Sequence, residues 1–258
     1  MKMLAAMLLC LSAGLAVVAP PVTAANLGGL FNPAPATPNS SPVIVGPAIA
    51  GSKLAEVRPL LAAELAAEFP DDYAALSAAF ATAYAGPDPT QNAVAGSKAI
   101  EELSSRFLTQ IHQAPAPDLL GIVGQMRGLH ALVLKREGPK VCGQFSSGGS
   151  GVLYETGIAG QYMGELDAMA AAFFKAVARA KQHPTTTLAP IDADWKLVAQ
   201  RLLADGGKKG FIDVIAKGDS KDPQICPAMV ALLQAVTEVP GDAGLRLRAA
   251  FAVNAAAY

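Results

Sequence analysis

Residues 118–136, DLLGIVGQMRGLHALVLKR, decide the fold. Ile122, Met126, Leu129 and Val133 recur at three- and four-residue steps, which places them on one face of a helix. Asp118 stands where an N-cap belongs. Residues 152–182, VLYETGIAGQYMGELDAMAAAFFKAVARAKQ, repeat the pattern with a stripe of Tyr162, Leu166, Met169, Phe173 and Val177. Each stretch is also stepped with glycine: Gly121, Gly124 and Gly128 in the first, Gly157, Gly160 and Gly164 in the second. A helical glycine costs roughly 1 kcal/mol against alanine, so six of them require a compensating gain. Close backbone approach is the expected gain: the two helices should pack antiparallel through these glycines, nearer than the usual separation of about 8–10 Å.

Working outward, the helical period continues on both sides. Ser52 is a candidate N-cap for a stripe of Leu54, Val57, Leu61 and Leu65 that ends near Pro70, with Pro59 marking a bend or restart. Asp71 and Asp72 open a second helix with Tyr73, Leu76, Phe80 and Tyr84 on its inner face, stopped by Gly86-Pro87-Asp88-Pro89. A third runs from Thr90 to Gln113, its face built of Ile100, Leu103, Phe107, Leu108 and Ile111, and Pro115 and Pro117 end the pattern. Beyond His183-Pro184, Asp192 or Asp194 caps a helix holding Trp195, Val198 and Leu202 that stops at Gly206-Gly207; shorter helices follow over 209–217, 223–238 and 242–257. Strand signals are nearly absent. The expected fold is therefore an all-α, multi-helix orthogonal or bundle-like domain of about eight or nine helices over residues 53–258.

The chain opens on a different composition. Lys2 followed by the apolar run 4–18 and the small residues up to Ala24 and Ala25 form a leader of secretory design over residues 1–25, with cleavage expected near Ala24 or Ala25. Leu8 and Leu9 precede Cys10 where a lipidation signal needs small residues, so lipidation is rejected. Residues 26–52 hold Pro33, Pro35, Pro38, Pro42 and Pro47 and read as a flexible proline-rich linker, relieved by the β-branched run Val43-Ile44-Val45. Export, to the periplasm or the medium, moves the two remaining cysteines, Cys142 and Cys226, into an oxidising compartment, where a disulfide is expected. Closing a loop of about eighty residues is worth ~4–5 kcal/mol by chain-entropy reasoning.

Composition narrows the partners. A formal charge of −1 with no basic run excludes the electrostatic footprint of nucleic-acid binding. No stretch after the leader is long and apolar enough for a transmembrane span of the mature chain. The three histidines, His112, His130 and His183, make no zinc-ligand spacing, and no metal or cofactor is expected. Around Ser150, Gly148 precedes but Val152 follows, so neither a nucleophile elbow nor a phosphate loop is formed; residues 143–151, GQFSSGGSG, read as a connector. One sharper arrangement remains: the N-terminus of helix 152–182 lies beside Ser150, and Gln125, Arg127 and His130 on helix 118–136 with Glu155, Gln161 and Glu165 on the other are the polar residues nearest the glycine seam. Glu155 and Glu165 are close to three turns apart and share a side without forming a dyad. Two function classes follow. The favoured one is an exported, non-enzymatic helical binding or envelope-interaction protein with an envelope protein as partner; the alternative is a small-molecule-binding protein or hydrolase built on the polar residues of helices 118–136 and 152–182.

Overall fold

The computed structural model describes residues 51–204 and 210–257, and every regular element among them is helical. The leader 1–25, nearly all of the proline-rich linker, the Val43–Val45 run and the stop at Gly206-Gly207 lie outside the described residues. In chain order the α-helices are α1 (Lys53–Val57), α2 (Pro59–Glu68), α3 (Pro70–Ala83), α4 (Pro89–Ser105), α5 (Leu108–Ile111), α6 (Ala116–Gly148), α7 (Gly151–Glu155), α8 (Met163–Gln182), α9 (Asp192–Ala204), α10 (Gly210–Lys217), α11 (Ile225–Glu238) and α12 (Gly241–Ala252). Short 3-10 turns cover Ala159–Tyr162 and Val253–Ala257. Nine of these helices run eight residues or more, which matches the expected number.

Local chemistry explains most of the boundaries. Ser52 Oγ accepts from Ala55 N at 3.1 Å and caps α1, and Asp88 Oδ1 accepts from Thr90 N (2.9 Å) and Gln91 N (3.2 Å) to cap α4. Proline occupies the first turn of α2, α3, α4 and α6, where its missing N–H is no loss. Pro59 is a restart: the first expected helix divides at Arg58 into α1 and α2. The third divides too, at Arg106 and Phe107, into α4 and α5.

Two further boundaries depart from expectation. The helix expected over 118–136 runs on: Gly138 kinks α6, taking φ 77 and ψ 179 ahead of Pro139, and helical turns continue to Gly148 through most of the expected connector 143–151. The reason is burial: Cys142, Gly143 and Phe145 are buried in this second arm, which outweighs the low helix propensity of the Ser/Gly run. The helix expected over 152–182 starts later, at Met163, because Gly157 takes φ 73 and closes α7.

The described residues belong to one compact unit, Val45–Tyr258, with α6 at its centre. Helices α11, α8, α12 and α7 all pack on α6; α2 lies against α8, α3 against α4, and α9 and α10 against α11. Leu119, Ile122, Val123, Met126, Leu129 and Val133 are at most 3% exposed, as is the whole α8 stripe from Tyr162 to Val177. Burying one such side chain stabilises by about 1.5–3 kcal/mol, so these two stripes contribute substantially to cohesion. Helices α6 and α8 run antiparallel. Arg179, at the end of α8, pairs with Asp118, at the start of α6 (2.7 Å), while Tyr162 donates to Glu137 Oε1 at 2.7 Å and Arg136 to the Gln161 carbonyl at 3.1 Å at the opposite end. Phe69, Phe107 and Phe174 form an edge-to-face trio with centroids 5.3–5.8 Å apart, which ties the ends of α2 and α4 to the middle of α8.

Candidate functional site

The expected glycine seam is not what joins α6 to α8. A Cβ built on Gly121, Gly124, Gly128, Gly157, Gly160 or Gly164 meets no heavy atom within 4 Å, and Gly124 alone of the six is even partly buried. The expectation of antiparallel neighbours holds, but its mechanism is wrong: large side chains fill the interface, and the glycines, displaced by one residue or about 100° from that stripe, face outward. Close approach is made by glycines elsewhere. A Cβ on Gly143 would stand 2.5 Å from the Ser220 carbonyl oxygen and 2.9 Å from Ile225 Cγ2, and one on Gly244 would stand 1.9 Å from the Val239 carbonyl oxygen.

The polar residues expected beside that seam divide between interior and surface. His130 and Ser150 are 2% exposed, Arg127 is half-buried, and Gln125, Glu155, Gln161 and Glu165 are exposed. His130 instead belongs to the cystine. Cys142 and Cys226 are bonded, with Cα atoms 5.6 Å apart across a sequence separation of 84, and both sulfurs lie against the His130 carbonyl oxygen at 3.3 and 4.0 Å. The His130 ring is 4.8 Å from Phe145, and its Nδ1–H donates to the Met126 carbonyl at 2.8 Å. Burial holds this imidazole down at about 4, so it is neutral at pH 7. Among the described residues no group of three or more His, Cys, Asp or Glu is placed to hold a metal ion.

Buried charges elsewhere serve as helix caps. Asp167 on α8 accepts from Leu60 N (2.9 Å) and Leu61 N (3.0 Å), satisfying two first-turn donors of α2 from a distant part of the chain. Burial raises its carboxyl above the ordinary range, opposed by those two bonds. Arg248 on α12 donates to the carbonyls of Val236 (3.4 Å) and Val239 (3.0 Å) at the end of α11, and burial lowers its guanidinium. Arg246 grips Asp194 with two bonds of 2.7 Å, holding that carboxyl below its ordinary range, while Asp194 also accepts from Ile191 N at 3.0 Å. The sequence offered Asp192 or Asp194 as the cap of α9 but gave no sign of Asp167, Arg246 or Arg248: Asp167 reaches partners 106 and 107 residues away and Arg246 one 52 residues away, and Arg248 folds back on the preceding helix across a turn that local spacing does not describe.

Asp194 also anchors α9, on and before which several large apolar side chains are exposed. Residues 183–191, HPTTTLAPI, connect α8 to α9 without regular structure because Pro184 and Pro190 interrupt any helix. Thr185 fixes this strap, donating N–H and Oγ1–H to the Gln113 carbonyl at 2.9 and 2.8 Å. Helix α9 turns Asp194, Val198 and Leu202 inward, and Trp195 meets Phe251 edge-on at 6.2 Å. Its outer side is not wholly polar. Leu188 (69% exposed), Ile191 (57%), Leu197 (40%) and Leu203 (49%) are four of the six large hydrophobic residues exposed among the described residues, and all lie between Leu188 and Leu203. No described helix is long and apolar enough to cross a membrane. No protein family, curated protein or solved structure matches this chain.

Proposed function

We propose that the protein is exported and acts without catalysis, binding an envelope protein through the apolar surface between Leu188 and Leu203. The observation that carries the reading is the clustering of exposed leucine and isoleucine on one strap and the helix after it. The secretory design of residues 1–25 and the bonded Cys142–Cys226 pair, a covalent link that suits an oxidising compartment, support the location. The proline-rich segment 26–52 supplies reach from a docking point. The caps described above immobilise α9 and the strap, so little conformational entropy is lost when a partner covers them.

The test is retention of the purified mature protein on washed envelope preparations. The double variant L197K/L203K keeps the helical circular dichroism of the wild type, since both positions are solvent-facing and lysine is a good helix former. It should lose at least tenfold in retention; equal retention would refute the reading.

A further inference from the structure

Arg58 is 1% exposed, a cation enclosed by protein at the junction of α1 and α2. Its Nη2 donates to the Tyr154 hydroxyl at 2.5 Å, and its buried Nη1 has no acceptor. No carboxylate forms an ion pair with it among the described residues. Asp167 is close enough for each to feel the other's charge, yet both of its oxygens are committed to the N–H groups of Leu60 and Leu61. Buried guanidinium groups are normally paired, and a buried donor left unmet costs about 1–3 kcal/mol, more when charged.

The surroundings offer donors, not acceptors. Tyr154 accepts from Nη2 and retains its own O–H. Tyr84, half-buried, interacts electrostatically with both Arg58 and Tyr154, and burial raises its phenol so that it remains a donor. Lys53 Nζ lies 5.5 Å from the Tyr84 ring centroid at the more exposed side, paired with Glu56 at 2.9 Å. We propose that this node is a binding site for the carboxylate group of a small monoanionic acid, which accepts from Arg58 Nη1 and takes a tyrosine hydroxyl on its second oxygen. The guanidinium already feels the Asp167 carboxylate, so the node takes at most one added negative charge, delivered to the donor that lacks an acceptor; a phosphate dianion would bury a second charge without compensation. The site is independent of the envelope-binding reading, because it lies on α1, α2, α3 and α7 rather than on the strap and α9.

The experiment is thermal denaturation and calorimetric titration of the mature chain with sodium acetate and sodium formate, against chloride and inorganic phosphate at matched ionic strength. Acetate or formate should raise the melting temperature saturably, with chloride and phosphate without effect. Tyr154→Phe should weaken acetate at least tenfold; Tyr84→Phe, which touches the rim only, should weaken it by a smaller factor without loss of the fold. Equal shifts in all four salts, no acetate binding by the wild type, or unchanged acetate affinity in both variants would overturn the proposal and leave water as the partner of Nη1.

Discussion

Gly244 lies where a side chain cannot: its missing Cβ would stand 1.9 Å from the Val239 carbonyl oxygen and 2.7 Å from Arg248 Nη1. The first turn of α12 thereby abuts the end of α11, and Arg248 reaches the same carbonyl. Gly244→Ala should destabilise by at least about 2 kcal/mol, since backbone must move to relieve the overlap. Gly124→Ala and Gly128→Ala, whose Cβ positions are open, should each stabilise by about 0.5–1 kcal/mol through the unfolded state and helix propensity. Urea denaturation of the three variants separates close-packed from merely helical glycines; the opposite ranking would restore the glycine seam between α6 and α8.

His130 should make the fold acid-sensitive well above the carboxylate range. Its folded pKa, lowered by burial from 6.5 to about 4, means that the neutral ring is the stable form inside. The contribution is complete above pH 6.5 and is lost as pH falls toward 4, on the order of 3 kcal/mol in all. Urea midpoints between pH 7.5 and 4 should fall steeply in the wild type and less in His130→Asn, which keeps an amide donor near Nδ1. An NMR titration that places the His130 imidazole near 6.5 would contradict this.

Asp194 acts in a lower window. Arg246 depresses its folded carboxyl below the ordinary 3.8, so its stabilisation is present above that value and disappears as pH falls through the folded one. The gap in melting temperature between wild type and Asp194→Asn should be widest near neutrality and close below 3.8. Asp167, raised by burial, has the opposite sign and should not produce that closure.

Cys142 and Cys226 are both 0% exposed, so thiol reagents reach the bond only after unfolding. Intact mass under native conditions with reductant should stay two protons below the reduced value and rise only when denaturant is added. The Cys142→Ala/Cys226→Ala pair should lose up to ~4 kcal/mol by loop entropy, tempered by residual structure in the unfolded chain. Free thiols on the native protein would exclude the bond.

The helical class and the inner faces were legible because Ile122, Met126, Leu129 and Val133, and the Tyr162 to Val177 series, obey one period whatever surrounds them. Gly138-Pro139 was not: a glycine before proline ordinarily ends a helix, and only the tertiary burial of Cys142 and Phe145 carries α6 onward. The glycine reading failed because composition counts small residues without saying which face they occupy. Arg58 was invisible for a similar reason, since a basic residue beside Pro59 looks like solvent-facing chain and its enclosure depends on Tyr154, ninety-six positions later. Leu188 and Ile191 sit in a proline- and threonine-rich connector, where spacing has no period from which to infer exposure.

The most direct test of the proposed role is photocrosslinking in the cell that makes the protein, with a photoreactive residue at Leu197 and, as control, at exposed Gln125 on α6. The binding reading expects a discrete adduct of defined mass from position 197 and none from position 125. No adduct from position 197, or equal adducts from both, would contradict it.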